Sequence, residues 1–275
     1  MRLGANLFPL PVNGIVSIGS FAIHTPCRKI NFMQLLIIRH AQSFNNYIAE
    51  DLQYDEYMEK RSHEPPITEL GQRQAQLLAD HLAADDHPEV AYNQNGGYDL
   101  THLYCSPMLR TLQTALPISK ALGLPPQVWI DIHEHGGVFQ GNPRSEAGVT
   151  NFSGMTRQEC LDNFPGYTLP DEITEKGWWF GGYEEIAGCN QRALRAAETL
   201  QQWAEETPDE RIAIVSHGTF ADALIKALFK QDFESPLGYY HYNTAITRID
   251  WTHRGFMVLR YLNRTQHLPV EMITK

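Results

Sequence analysis

The sequence is short of cysteine, of long apolar runs and of positive charge. Its four cysteines, Cys27, Cys105, Cys160 and Cys189, lie far apart and form no Cys-x-x-Cys pair, which excludes the common zinc and redox motifs. Free thiols are therefore expected, and with them a reducing, cytoplasmic location. No segment approaches the roughly 18 apolar residues of a membrane-spanning helix, so no membrane partner is expected.

Acidic residues outnumber basic ones by 32 to 22, which gives a net charge of -10 at pH 7. A nucleic-acid partner is not expected, because no basic stripe is available to displace counterions from a phosphate backbone. A Gly-x-Ser-x-Gly elbow and a Gly-x-x-x-x-Gly-Lys-Ser/Thr loop are both absent, which excludes the corresponding acyl hydrolases and nucleotide triphosphatases. A local cluster of arginines can still bind a small phosphorylated molecule.

Two short apolar segments each end in a histidine. Leu35 to Ile38 precede His40, and Ile212 to Val215 precede His217. Such segments are typical of buried strands in a parallel sheet. Because ligands of open α/β sheets bind at the carboxyl ends of the strands, we expect both imidazoles to face one site.

Strands and helices alternate from Gln34 onward, which predicts a mostly parallel sheet covered by helices on both faces, an α/β/α sandwich in three layers. Residues 1–32 contain prolines and glycines that would interrupt a helix, and we predict that they form a disordered extension. Alternatively, Met33 is the natural initiator and these residues come from an upstream start codon. Residues 33–275 are predicted to form a single domain. The main predicted elements are strands at Leu100–Cys105, Val128–Ile132, Thr244–Trp251 and Phe256–Leu262, and helices after Thr68 and at Pro107–Leu122, Glu185–Ala204 and Phe220–Phe229.

An insertion rich in glycine and aromatic residues, 135–184, follows the third predicted strand. Long irregular loops in compact domains usually form lids or binding segments, and a small aromatic subcore is an equally good and compatible interpretation. Arg144 and Arg157 within it are candidates for binding a second anionic group of a substrate.

Five residues at predicted strand ends or at the start of a helix suit phosphoryl transfer. His40 is the candidate nucleophile, because a neutral imidazole with one free nitrogen can attack phosphorus. Arg39 and Arg110 would bind the phosphoryl oxygens, and a protonated His217 would stabilise charge on the transferring group. Glu134 would hold a proton for the leaving group and later activate water.

A further contribution is expected from the helix that follows Gly218, because backbone N–H groups at its N-terminus can bind phosphate. His133 and His135 flank Glu134, but no third ligand is recognisable, so neither a metal site nor a cofactor is expected.

The segment Arg39-His40-Ala41-Gln42-Ser43-Phe44-Asn45-Asn46 resembles the Arg-His-Gly-x-Ser/Thr-x-x-Asn signature of branch 1 of the histidine phosphatase superfamily, the phosphoglycerate mutase-like proteins. Similar segments lie at 66–75, 105–115, 215–218 and 243–247. The resemblance implies a phosphohistidine at His40, secondary substrate contacts from Ser43 and Asn46, and no metal. Alanine replaces the usual glycine at position 41. This replacement would lower the stability of the fold by about 1 kcal/mol only if the backbone φ at position 41 is positive.

The segment after Glu134, with Gly137, Phe139 and Gly141, is more similar to the phosphatases of that family than to its glycolytic mutases. The resemblance therefore predicts a phosphatase for a small phosphorylated metabolite. A phosphoglycerate mutase-type reaction and a noncatalytic phospho-ligand-binding protein remain the alternatives. The sequence predicts no oligomeric state.

Overall fold

The computed structural model describes residues 33–84, 97–252 and 255–275. The predicted extension 1–32, together with residues 85–96 and 253–254, lies outside the described residues. In the described part of the chain, no helix combines the length and the apolar character needed to cross a membrane.

The central sheet has six strands in the order β3-β2-β6-β1-β7-β8. β1, β2, β3 and β6 run parallel, and β7 and β8 add an antiparallel edge. A separate antiparallel pair, β4 and β5, belongs to the insertion. The strands are β1 (Gln34–Arg39), β2 (His102–Cys105), β3 (Gln127–Val128), β4 (Phe139–Gly141), β5 (Val149–Asn151), β6 (Arg211–Ser216), β7 (Ile246–Trp251) and β8 (Met257–Arg264).

Helices cover both faces of this sheet. The helices of the described residues are α1 (Phe44–Ala49), α2 (Tyr54–Lys60), α3 (Glu69–Ala83), α4 (Leu109–Leu122), α5 (Arg157–Asn163), α6 (Ile186–Glu206) and α7 (Gly218–Leu228), of which α3, α4, α6 and α7 pack on the sheet. In β1, Leu36 and Ile38 pack with residues of α3 and α4, whereas Leu35 and Ile37 pack with residues of α6 and α7. This alternation follows from the two-residue period of a strand. The predicted three-layer α/β/α sandwich is confirmed.

Thr68 caps α3, as predicted, because its side chain accepts a hydrogen bond from the N–H of Gly71. The helix also fixes the segment after β1. The N–H of Thr68 donates to the carbonyl of Gln42 at 2.9 Å. A β-carbon at Gly71 would overlap that carbonyl oxygen, so only glycine lets α3 approach the backbone this closely.

Several element boundaries differ from the predictions by one or more residues, and two of these differences have a clear structural cause. β3 ends at Val128, because its parallel partner β2 ends at Cys105, and Ile130–Ile132 form a short 3-10 turn instead of continuing the strand. α4 begins at Leu109, not at Pro107, since Met108 has the extended backbone of an N-cap residue.

The insertion, residues 135–184, contributes to the main core. Phe164, Tyr167 and Trp178 are buried in the same cluster as the residues of α3 and α4. The hydroxyl of Tyr167 donates to the carbonyl of Leu112 in α4 at 2.7 Å. These aromatic side chains therefore fix one side of the insertion to the helical layer that carries Arg110.

Candidate active site

The two strand-end histidines lie side by side. β1 and β6 pair in parallel with Arg39 opposite Ser216, so His40 and His217 both follow directly at the same sheet edge. Their ring centroids are 5.2 Å apart, with the ring planes at 60°, and both side chains are buried. The edge is the one at which open α/β sheets bind ligands.

Hydrogen bonds fix the tautomer of His40. Its Nδ1 lies 2.7 Å from the carbonyl oxygen of Ala41, and because a carbonyl only accepts, Nδ1 carries the proton. The guanidinium Nε of Arg110 donates to His40 Nε2 at 3.1 Å, so Nε2 carries the lone pair. The nitrogen available to attack phosphorus thus points at a phosphate-binding group.

Electrostatics keep His40 neutral. Burial, followed by the positive charges of Arg110 and Arg39, holds its pKa well below the usual value of 6.5. An imidazole that is neutral throughout the physiological pH range retains its lone pair. The arginines that would bind a phosphoryl group therefore also keep its candidate acceptor unprotonated.

Arg39 and Arg110 approach this site from different elements. Arg110 lies in the first turn of α4 and is buried, and burial lowers its pKa. Arg39 ends β1, and its Nη1 donates to the carbonyl of His241 at 2.6 Å. Its Nε is buried without a hydrogen-bond partner among the described residues.

His217 differs from the expectation of a protonated donor. Its Nε2 lies 2.8 Å from the hydroxyl of Ser106, and Nδ1 is buried without a partner in the described part of the chain. Burial and then the charge of Arg110 hold its pKa well below 6.5. The protein by itself therefore keeps this imidazole neutral, and only a nearby anion would favour its charged form.

Glu134 binds the N-terminus of α7. Its carboxylate accepts hydrogen bonds from the N–H groups of Thr219 at 3.3 Å and Phe220 at 3.1 Å, and from His135 at 2.9 Å. The expectation that helix N–H groups after Gly218 bind phosphate therefore needs correction for two of them. They position the candidate acid instead, and Gly218 lies against the Arg39 side chain.

Arg192 of α6 supports the segment that carries Glu134. Its Nη1 donates to the carbonyls of Asp131 and His133, both at 2.7 Å. The same guanidinium forms a buried, two-point ion pair with Glu184, at 2.6 and 3.0 Å. A single buried side chain thus fixes the backbone directly before Glu134.

We expect Arg192→Met to destabilise the fold by about 3–5 kcal/mol, because it leaves the buried carboxylate of Glu184 unpaired. Displacement of Glu134 by about 1 Å should also lower kcat by up to about 10²-fold. Urea unfolding and hydrolysis of an aryl phosphate measure the two effects.

Arg195→Met is the matched control on the same helix. Its ion pair with Asp131 at 3.1 Å is exposed and should contribute well under about 1 kcal/mol. Arg192→Lys, which retains a charge but not the planar fork, provides a second test if the methionine variant does not fold. Equal behaviour of the Arg192 and Arg195 variants would contradict the supporting role.

The predicted substrate contacts Ser43 and Asn46 bind each other. Ser43 caps α1, and its hydroxyl donates to Asn46 Oδ1 at 2.8 Å. Asn243, a residue that the sequence analysis gave no role at the site, donates to the carbonyl of His40 at 3.0 Å. Ala41 is not among the residues with positive φ, so alanine replaces glycine there without backbone strain.

The two arginines of the insertion are not brought together with the five central residues. The guanidinium of Arg157 donates to the carbonyls of Pro170 and Ile173, both at 3.0 Å, and so stabilises the insertion itself. Arg144 is exposed, and its guanidinium lies 4.4 Å from the centre of the Tyr54 ring.

Two charged residues that the sequence pattern did not indicate, Arg61 and Glu64, lie in the irregular segment before α3. Glu64 Oε2 accepts a hydrogen bond from the N–H of Leu109 at 2.9 Å, directly before Arg110. Burial raises the pKa of Glu64 to about 7, against the opposing charge of Arg110. The only available signal was the position of both residues just upstream of the Pro66-Ile67-Thr68 segment, because an irregular loop has no period that marks its buried side chains.

Among the described residues, no group of three or more His, Cys, Asp or Glu side chains is arranged to hold a metal ion.

The chain is similar to several known proteins. The chain is 26% identical over 239 residues to phosphoserine phosphatase 1 of Hydrogenobacter thermophilus, covering 86% of this chain and 94% of that protein. It is 23% identical to a probable phosphoglycerate mutase, GpmB, of Photorhabdus laumondii, covering 85% and 92%. A shorter match, 39% identical over 87 residues, covers 31% of this chain and only 13% of the Mycobacterium tuberculosis protein PE_PGRS11.

The fold is shared with the solved structure of Bacillus stearothermophilus YhfR, with a TM-score of 0.54 at 22% identity, over 86% of this chain and 98% of that one. The family model described as histidine phosphatase superfamily (branch 1) matches residues 35–264. That match covers most of the chain and includes all five central site residues. The protein therefore belongs to branch 1 of the histidine phosphatase superfamily.

Proposed function

We propose that this protein is a phosphatase that hydrolyses a small phosphorylated metabolite through a phosphohistidine at His40. The observation that carries the proposal is the fixed tautomer of His40, whose unprotonated Nε2 faces the guanidinium of Arg110. Membership of the histidine phosphatase superfamily and the similarity to a phosphoserine phosphatase support the same reaction.

In the first step, His40 Nε2 attacks phosphorus and the bond between phosphorus and the ester oxygen breaks. Arg39 and Arg110 bind the phosphoryl oxygens as negative charge spreads over them. His217 becomes a hydrogen-bond donor to the same oxygens. Glu134 gives its proton to the leaving oxygen, so the alcohol departs neutral.

In the second step, Glu134 accepts a proton from water, and the water oxygen attacks phosphorus. The bond between phosphorus and Nε2 breaks, which releases inorganic phosphate and restores the lone pair of His40. Glu134 ends the cycle protonated, ready for the next substrate. The proposed chemistry requires neither a metal ion nor a cofactor.

The alternatives make different products. Similarity to a probable phosphoglycerate mutase favours transfer of the phosphoryl group within a sugar acid, which requires that water be kept from the phosphohistidine. A noncatalytic protein would bind a phosphorylated ligand without turnover.

The proposed location is the cytoplasm, in keeping with the buried free thiols of Cys105, Cys160 and Cys189.

The test is phosphate release by the purified protein from a panel of phosphomonoesters in the presence of EDTA. The panel contains p-nitrophenyl phosphate, phosphoserine and 3-phosphoglycerate. Product analysis follows formation of 2-phosphoglycerate in parallel. EDTA-resistant release supports the phosphatase. Isomerisation of 3-phosphoglycerate without phosphate release would favour the mutase instead. Ligand binding with neither phosphate release nor isomerisation would favour the noncatalytic protein.

A further inference from the structure

The segment between α2 and α3 is fixed to two elements of the candidate site. The side chain of Asn45 in α1 binds both main-chain groups of Ser62, at 2.8 and 2.9 Å. Two residues later, Glu64 binds the N–H of Leu109 at the start of α4. Arg61, immediately before Ser62, is therefore held between the helix that follows His40 and the helix that carries Arg110.

The guanidinium of Arg61 lies against the insertion. Its carbon is 3.9 Å from the centre of the Phe139 ring, and the stack orients a planar cation. Its Nε is buried without a hydrogen-bond partner among the described residues. Arg61 forms no ion pair with a carboxylate in the described part of the chain. Its guanidinium interacts with the phenol of Tyr57, so Nε is the donor that remains available.

Electrostatic interactions place Arg61 near two groups of the candidate site. Its charge interacts with Tyr57, with Glu134 and with Tyr183, and it lowers the pKa of Arg110. The two arginines whose charges lower the pKa of His40 are Arg110 and Arg39. Arg61 therefore adds a third positive charge within electrostatic reach of Glu134 and Arg110.

We propose that Arg61 binds a second anionic group of the substrate while Arg39 and Arg110 bind the phosphoryl group that is transferred. The proposal rests on the proposed phosphatase function and defines its substrate class as phosphomonoesters with a further carboxylate or phosphate. A partly buried guanidinium with an unpartnered Nε and a like charge nearby gains most from an anion, which it can bind through its N–H donors.

This assignment differs from the expectation that Arg144 and Arg157 bind the second group. The guanidinium of Arg157 already donates to two carbonyls. Arg144 is exposed, and its guanidinium lies over the Tyr54 ring. Arg61 is partly buried and is held by residues of both site helices. Its Nε can therefore bind an anion without first giving up an existing partner.

The test compares Arg61→Gln and Arg61→Lys with the wild type on three substrates. p-Nitrophenyl phosphate has no second anion, 3-phosphoglycerate has a carboxylate, and fructose 1,6-bisphosphate has a second phosphate. We expect Arg61→Gln to raise KM about 10- to 100-fold for the substrates with a matching second anion, the range for loss of charged hydrogen bonds. Its effect on the aryl phosphate should stay within about twofold, with an intermediate effect for lysine. The substrate with the larger loss identifies the anion.

Arg73→Gln, on the exposed face of α3, is the matched control and should change none of these values. An equal loss on the aryl phosphate and on the doubly anionic substrates would overturn the proposal, as would no change on any of them.

A binding experiment separates this proposal from the proposed function. Calorimetry in the His40→Ala background measures affinity for 3-phosphoglycerate, fructose 1,6-bisphosphate and inorganic phosphate without turnover. Addition of Arg61→Gln should weaken binding of at least one organic ligand about tenfold or more and leave inorganic phosphate unchanged. If the wild type releases no phosphate but Arg61→Gln still weakens binding of an organic ligand and not of inorganic phosphate, the proposed phosphatase function is wrong and the anion site is supported. If the affinities for all three ligands change equally, the proposed anion site is wrong.

Discussion

His40→Ala should lower kcat for aryl phosphate hydrolysis by on the order of 10⁴-fold or more, the scale for loss of a covalent nucleophile. No neighbour can replace it. His217 presents its Nε2 to Ser106, and its ring centroid lies 5.2 Å from that of His40. The variant should still bind phosphate, because Arg39 and Arg110 remain and the removed side chain is neutral.

Rapid quenching provides the more specific measurement. With substrate labelled in the phosphoryl group, the wild type should yield a protein-bound label that is stable in base and lost in acid, as expected for a phosphorus–nitrogen bond. The His40→Ala protein should yield none. His102→Ala, at the start of β2 and paired with Glu210 at 3.7 Å, is the histidine control and should retain the label. Label that survives in the His40 variant would exclude His40 as the nucleophile.

The part of the site that could be predicted from the sequence is the part fixed by strand periodicity. Two apolar strands that each end in a histidine place both imidazoles at one edge, provided that the strands are parallel and in register, and β1 and β6 are. The position of Arg110 follows similarly, because only three residues separate the end of β2 from the start of α4. Short connections leave little freedom for the side chains that they carry.

Contacts between distant segments could not be predicted in this way. Two of the three N–H groups that bind Glu134 come from α7, 85 and 86 residues further along the chain. The extent of β3 depends on where β2 ends, which no local pattern reports. Arg61 and Glu64 lie in a segment without periodicity, and their roles depend on Asn45 and Leu109, which belong to other elements.

Glu64 should make the stability of this protein depend on pH in the opposite direction to an ordinary ion-paired carboxylate. Burial raises its pKa to about 7 in the folded protein, from a value of 4.5 without such perturbation. The contribution of Glu64 to the free energy of unfolding is therefore fully present below pH 4.5 and is lost as the pH rises through about 7. The difference of about 2.5 in pKa corresponds to about 3 kcal/mol.

Glu64→Gln removes this dependence, because an amide does not ionise and its oxygen can still accept the hydrogen bond from Leu109. The free energy of unfolding of the variant relative to the wild type should rise by about 3 kcal/mol between pH 4.5 and pH 8. Urea unfolding at several pH values measures the difference, and Glu69→Gln, exposed at the start of α3, is the control. Parallel pH curves for the wild type and Glu64→Gln would contradict the assigned titration.

Glu64→Gln should also alter catalysis, because the carboxylate of Glu64 and the substrate phosphate compete for the guanidinium of Arg110. Arg110 interacts electrostatically with Glu64 and donates a hydrogen bond to His40 Nε2. Cys160 of α5 is a second group within electrostatic reach of Glu64. Ionisation of Glu64 near pH 7 places a negative charge beside the pocket and weakens binding of a phosphate dianion. In the wild type, kcat/KM should therefore fall above pH 7, and Glu64→Gln should extend the active range toward higher pH. An unchanged alkaline limb in the variant would assign that limb to another group.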